Sequence, residues 1–406
     1  MAQYTGVMST YQPRTVEGRD VRQVDDKIAY IDPTVAPLIT ILNRIKGKRE
    51  ACYSVKPEWL EKDYVARWAI ATAAVTAVAS STTVAVDDGT KFVAGDVFAV
   101  APPIGTFARH EVIRVVSVSA NNLTVVRNVG GSHLAAIPLS GDLRIIGKMM
   151  EEFSTFPDQK RAVASPKFTY LQIDRTGTAF SNTAEALKVY GNSGKSDRDQ
   201  AHIEDMIHHK EKMNATLIWG RVSEDATGGP TGYPIRSTMG LIDTIRTNVL
   251  DAGGMLTFKR FQEWCRMLSR YGARNKVLIA SDLICDAVDG WGHSKLQLKP
   301  GDSTLGLNIS TVVCGGITLS MVRDKMLENG TSGLYGWGNI GICLDLDNIW
   351  YLYLNNNGVN RDTHVVMDAV KDGKDGKRDE ICTEYGYKIK LEKTHGILTG
   401  VTDYQL

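Results

Sequence analysis

The chain has 406 residues, 43% of them hydrophobic and 23% charged, with 47 Lys plus Arg against 46 Asp plus Glu and a formal net charge of +1. The length exceeds one ordinary core and argues for two or three domains; the near-zero charge excludes a protein that grips phosphates over its whole surface. The six cysteines, Cys52, Cys265, Cys285, Cys314, Cys343 and Cys382, form no C-x-x-C pair and no zinc-finger spacing, so they read as reduced, buried thiols.

The N-terminal stretch has no apolar signal-peptide core, and no apolar run approaches the roughly 20 residues that span a bilayer. Synthesis and assembly in a cytoplasm are expected, where the sequon Asn329-Gly-Thr331 carries no glycosylation meaning. Residues 1–50 are polar with short apolar pieces such as Ile39-Thr-Ile-Leu42. Pro33 and Pro37 interrupt any helix before that piece, so the segment reads as an extended arm that must lie on something else. Arg44-Ile-Lys-Gly-Lys-Arg49 is a basic cluster, either solvated or in contact with nucleic acid.

Residues 51–71 and 148–182 look extended, as in Phe168-Thr-Tyr-Leu-Gln-Ile173. Between them, 72–147 is rich in Val, Ala and Thr. Its β runs are Thr83–Val86, Asp96–Val100, Glu111–Val118, Leu123–Val126 and Leu143–Ile146. Turn chemistry separates them at Asp87-Asp-Gly89, Pro102-Pro103, Asn121-Asn122 and Gly130-Gly131. This predicts a small β-barrel or sandwich inserted at the tip of a long hairpin.

A helix is predicted over Asp197–Arg221, with Ile203, Met206, Ile207, Met213, Leu217 and Ile218 near one stripe. Ser196 or Asp197 would cap it and Gly220 would mark its end. At 1.5 Å per residue it would run roughly 37 Å. The rest is α/β in texture: a helix over Phe258–Ser269, a strand over Lys276–Ala280 and a helix over Ser281–Val288. Strands follow over Ile309–Cys314 and Ile317–Val322, hinged at Gly315-Gly316, then over Ile340–Leu346. Beyond the charged loop Lys371–Arg378 come strands over Ile381–Leu391 and Gly396–Val401.

Three motifs suggest chemistry and lack its context. Gly336-Trp-Gly338-Asn-Ile-Gly341 fits G-x-G-x-x-G, but a strand follows where a dinucleotide site needs a helix N-terminus. Gly194-Lys195-Ser196 resembles the end of a P-loop, but Val189 stands where the first glycine belongs. His202, Glu204, Asp205, His208 and His209 cluster on the helix without H-E-x-x-H order and read as a solvated face. Asp345 and Asp347 read as a polar strand face. No catalytic, cofactor-binding or metal site is assigned, and no enzyme activity is expected.

In order along the chain, several pieces resemble the tailed-bacteriophage major capsid proteins of the Hong Kong 97-like fold. They are Tyr30-Ile-Asp-Pro33-Thr-Val-Ala-Pro-Leu38, Tyr53-Ser-Val-Lys-Pro-Glu-Trp59-Leu-Glu61, Tyr170-Leu-Gln-Ile-Asp-Arg-Thr-Gly-Thr178, the Asp197–Arg221 helix, Ile381-Cys-Thr-Glu-Tyr385 and Thr394-His-Gly396-Ile-Leu-Thr399. The resemblance implies an α+β fold. It has an N-terminal arm (1–50), an extended loop (51–71 and 148–182) and a peripheral domain (183–234 and 371–406) carrying a spine helix (197–221). An axial domain (235–370) and an outward-facing all-β insertion (72–147) complete it.

The function implied is self-assembly into hexamers and pentamers of an icosahedral head in the virion, around double-stranded DNA held weakly on the inner face. Implied partners are many copies of the chain, a separate scaffolding protein or none, a portal and a decoration protein; no membrane is involved. Two other readings stay open: an encapsulin-like cargo shell, expected to lack the insertion, and a surface- or carbohydrate-binding protein acting through 72–147. Deleting residues 1–45 is expected to leave a soluble fold that forms no particles. Aspartate at Ile207 and Leu217 is expected to unfold the subunit.

Overall fold

A computed structural model describes residues 36–45, 47–64, 66–100, 110–155, 160, 162–187, 197–295, 310–328, 338–368, 373 and 375–405. In chain order, α1 (Pro37–Arg44) and β1 (Arg49–Cys52) lead into β2 (Glu58–Glu61). Then come β3 (Trp68–Ile70), β4 (Thr83–Ala85), β5 (Asp96–Val100), β6 (Val112–Ser119), β7 (Asn122–Val126) and β8 (Asp142–Lys148). The chain returns through β9 (Ser165–Phe168), paired with β2, to β10 (Gln172–Ser181), α2 (Asn182–Ala186) and α3 (Asp197–Trp219). There follow β11 (Ser223–Asp225), β12 (Ile235–Ser237), α4 (Leu241–Thr244), β13 (Val249–Leu256), α5 (Phe258–Leu268), β14 (Asn275–Ala280) and α6 (Asp282–Lys295). The last elements are β15 (Ser310–Cys314), β16 (Ile317–Arg323), β17 (Asn339–Leu344), β18 (Ile349–Asn356), β19 (Val359–Asn360), β20 (His364–Val366), β21 (Gly376–Ile389) and β22 (Gly396–Tyr404). Two units result, Leu60–Lys167 and the remainder of the chain.

Unit Leu60–Lys167 is a closed barrel. Its sheet runs β3-β8-β5-β6-β7-β4, and its two edges meet where Ala71 bridges Val86. Hydrogen bonds from Thr72 N to Ala85 O (3.0 Å) and Asp87 N to Ile70 O (2.9 Å) flank the bridge. Closure removes both free edges. Alternation along each strand sends Val84, Phe98, Val100, Ile113, Val115, Leu123, Val125 and Leu143 inward. Residues 68–70, read from sequence as part of the extended flank, instead form a barrel strand beside β8. Closure requires that strand, and three residues are too short to show a period.

A fully buried charged pair sits inside this apolar unit. Arg127 donates from Nε and Nη2 to the two Glu111 carboxylate oxygens at 2.7 and 2.6 Å, and both side chains are fully buried. Asn128 N and Ala135 N also donate to Glu111, while Arg127 donates to the carbonyls of Thr76 and Ala135. Burial pushes the Glu111 carboxyl up, but Arg127 and the two backbone N–H groups outweigh it and hold it below the usual glutamate range.

Among its described residues the other unit carries two six-stranded sheets and a two-stranded β11-β12 ribbon. The first runs β1-β18-β21-β10, with β19 on β18 and β20 on β21. The second runs β13-β22-β17-β14-β16-β15. Period-two alternation gives the second sheet two buried faces. Ile279, Ile342, Leu344 and Ile397 join α1, α3 and the tyrosines Tyr351, Tyr385 and Tyr387 of the first sheet. Leu278, Ala280, Cys343, Leu398 and Val401 face the other way, onto Phe261, Trp264 and Leu268 of α5 and Ile284, Val288 and Trp291 of α6. Strand pairing does not follow the expected division at 370/371. Residues 349–356 pair with β21 in the first sheet, and 396–404 pair with β13 and β17 in the second. Such long-range pairing has no local signature.

Several local expectations change. Residues 37–44 are helical, with Pro37 at the first turn where its missing N–H is no loss. Leu38, Ile39, Ile41 and Leu42 are buried in the core, so this part of the N-terminal 50 residues is not an arm without a core. Gly220 ends α3 without a left-handed turn. A Cβ there would lie 2.4 Å from Thr216 O, and one at Gly240 would lie 2.4 Å from Gly220 N, so close backbone approach explains both glycines. Gly315 and Gly316 do turn the β15–β16 hairpin with φ of 59° and 87°. Asp345 and Asp347 do not share a face. Asp345 is buried and accepts from Ala273 N and Asn348 Nδ2 (3.0 and 3.1 Å), whereas Asp347 is exposed.

His395 is also buried here. Its Nδ1 accepts from Asp345 N and its Nε2 faces Lys390 O, both at 3.2 Å, which fixes the neutral tautomer with the proton on Nε2. Burial lowers its pKa from 6.5 to about 4. The unfolded chain takes up this proton near pH 6.5 and the folded chain only near 4. The contribution is therefore complete above 6.5 and lost as pH falls toward 4, about 3 kcal/mol in all. His395→Gln should flatten that part of the stability–pH curve, as read by urea unfolding at pH 7 and 4.5; an unchanged slope would remove His395 from the account.

Candidate assembly surfaces

The long helix is fastened to one face of β21, whose alternate residues project toward it. Arg198 Nη2 donates to Asp379 Oδ1 (2.5 Å) and His202 Nε2 lies 2.9 Å from Asp379 Oδ2. Two turns on, His209 Nε2 meets Thr383 Oγ1 (2.8 Å), and its Nδ1 meets Thr176 Oγ1 of β10 (3.1 Å). Tyr387 Oη then donates to Met213 O (2.8 Å). Arg198 is the main cause holding the Asp379 carboxyl down at about 2, and burial lowers the His209 pKa. The histidine–carboxylate cluster is therefore not one solvated face: His209 is fully buried, and His202 is tied to a strand. Their signal in sequence is the i, i+7 spacing, which repeats one helix face after two turns.

Only the C-terminal half of α3 supplies core. Met213, Leu217 and Ile218 are buried, whereas Ile203 is 46% and Ile207 36% exposed. The expected stripe thus divides into a buried half and a partly exposed half in the single chain. β10 adds a ten-residue edge, paired on one side with β21 and carrying exposed Ile173. Near β2 and β9 stand exposed Tyr53 and Phe168, with Lys56 Nζ 4.3 Å from the Phe168 ring centroid. In the barrel unit, Leu60, Tyr64, Phe153 and Val163 are exposed, Leu60 to 70%.

Among the described residues no group of three His, Cys, Asp or Glu is placed to hold a metal ion. The cysteines are free and buried. The glycines of the G-x-G-x-x-G motif that are described lead into strand Asn339–Leu344, not a helix. Gly194-Lys195-Ser196 and the resemblance segment 30–35 lie outside the described residues.

A family model described as SU10 major capsid protein matches residues 3–402. The chain belongs to this major capsid protein family. It is also similar to a major capsid protein of Pseudomonas phage PaMx41, 30% identical over 141 residues, which cover 34% of this chain and 32% of that protein. The match thus spans about a third of that relative's length. Among solved structures, the chain is similar to the capsid of a native GTA particle, with TM-score 0.48, 8% identity and coverage of 94% and 96% of the two chains. It is also similar to the SrpI encapsulin of Synechococcus elongatus PCC 7942, with TM-score 0.42, 13% identity and coverage of 60% and 80%.

Proposed function

We propose that this chain is the repeating shell subunit of a tailed-phage head, assembling as hexamers and pentamers around double-stranded DNA. The family match over residues 3–402 carries the reading. The surfaces support it: exposed Leu60 and Phe168 sit on strands, Tyr53 just past β1, and Ile203 and Ile207 on a helix flank that one copy leaves partly open. The N-terminal arm read from sequence over residues 1–50 would serve contacts between copies through the part that precedes α1, and the barrel is an accessory domain of the shell subunit. Scaffolding, portal and decoration proteins are further partners in this reading, and the finished protein resides in the virion.

The test compares the full chain with a truncation. Because α1 is core, removing residues 1–45 would damage the fold itself, so the cut belongs before Ala36. A 36–406 chain is expected to stay soluble with an unchanged melting temperature and to form no particles by sedimentation. Normal particles from it would remove the arm from assembly.

A further inference from the structure

Helices α5 and α6 pack on the same face of the second sheet, and each turns a stripe of charge directly away from that core. On α5, Lys259, Arg266 and Arg270 recur at helical spacing opposite buried Phe261, Trp264, Cys265 and Leu268, with Arg270 just past the last turn. Arg260 and Arg274 are exposed nearby in sequence, Arg274 beside Asp345 and Asp347 and Arg260 toward Gly253, and Glu263 on the same helix is half-buried. Among the described residues, none of these five cations has a carboxylate within 4 Å. On α6, Asp282, Asp286 and Asp289 recur at i, i+4 and i+7 opposite buried Ile284, Cys285, Val288 and Trp291. Arg323 lies among them, at 3.6, 2.8 and 3.2 Å, and offsets one of the three charges.

Arg175, Arg198, Arg236, Arg361 and Lys388 each have an acidic partner within the chain. Like charges along one helix face repel one another; on α6 Arg323 offsets part of this, whereas Lys259, Arg266 and Arg270 have no carboxylate within 4 Å among the described residues. Each stripe becomes favourable when the other is brought against it from outside. We infer that α5 of one copy docks against α6 of a second copy, with Lys259, Arg266 and Arg270 facing Asp282, Asp286 and Asp289. This deepens the shell reading and rests on it: repeated copies give every basic helix an acidic one to meet, and charge sets the register of the contact.

Charge reversal tests it on the full chain. Arg266→Glu/Arg270→Glu should fold with an unchanged melting temperature, yet its particle yield should fall roughly tenfold or more. Asp286→Lys/Asp289→Lys should behave alike. Mixing the two variants, or joining all four changes in one chain, should restore particles, because each reversed helix then meets its complement. Rescue that weakens with added salt is the expected signature. Two results would overturn the inference. One is normal assembly of the α5 variant alone, with or without lost affinity for a DNA duplex, where such a loss would reassign the stripe to a polyanion. The other is loss of assembly that neither mixing nor the fourfold variant restores. Absence of particles from the unaltered chain would instead count against the shell reading itself.

Discussion

Replacing Glu111 by alanine is expected to unfold the barrel while leaving the rest of the subunit folded. The substitution strands the Arg127 guanidinium among Ile137, Val75 and their neighbours with no counter-charge. Removing one partner of a buried pair destabilises by about 3–5 kcal/mol. A barrel of this size has only about 5–15 kcal/mol in total. Arg127→Met should do the same from the other side. The double change Glu111→Leu/Arg127→Met should recover most of the loss, because no charge then remains to be desolvated. Hydrogen exchange over residues 66–148 separates these outcomes; near-native protection in Glu111→Ala would contradict the assigned pairing. The pH dependence has a definite sign. Glu111 is held below its ordinary range when folded, so its contribution is present above the normal glutamate pKa and lost as pH falls below it.

Leu217→Asp and Ile207→Asp are expected to part company, although they lie on one helix. Leu217 is fully buried between α1, α4 and the tyrosines of the first sheet. An aspartate there loses the packing of a leucine, about 2–5 kcal/mol, and adds an unsatisfied buried carboxylate. No folded subunit should survive. Ile207 is 36% exposed, and its replacement should destabilise by about 1 kcal/mol, well short of unfolding. Its effect should appear as lost assembly. A melting scan and a sedimentation run on each variant decide the matter, and an unfolded Ile207→Asp would place that residue in the core.

The same pair shows where sequence reading stops. Helical period assigned Ile203, Ile207 and Leu217 to one stripe, and the stripe exists. Periodicity reports that a face avoids water and is silent on whether the cover comes from the same chain or from another copy. Strand positions in the barrel were legible because Glu111–Val118 and Leu123–Val126 alternate and the turns between them are chemically marked. Even the buried ion pair had a signal: Glu111 and Arg127 lie on opposite arms of one hairpin, nearly across from each other. Pairing between distant strands was not legible, since β18 and β22 enter different sheets with no local cue. The α1 helix was lost to a rule applied at the wrong position. Proline breaks a helix interior but suits its first turn, and Pro37 stands there.

Electron microscopy of the full chain, purified with its scaffold if it has one, measures the shell assembly most directly. Closed particles of uniform diameter, built from five- and six-membered rings of this one polypeptide, are the expected image. A monodisperse monomer that persists at high concentration, its apolar strands and helix flank still uncovered, would contradict it.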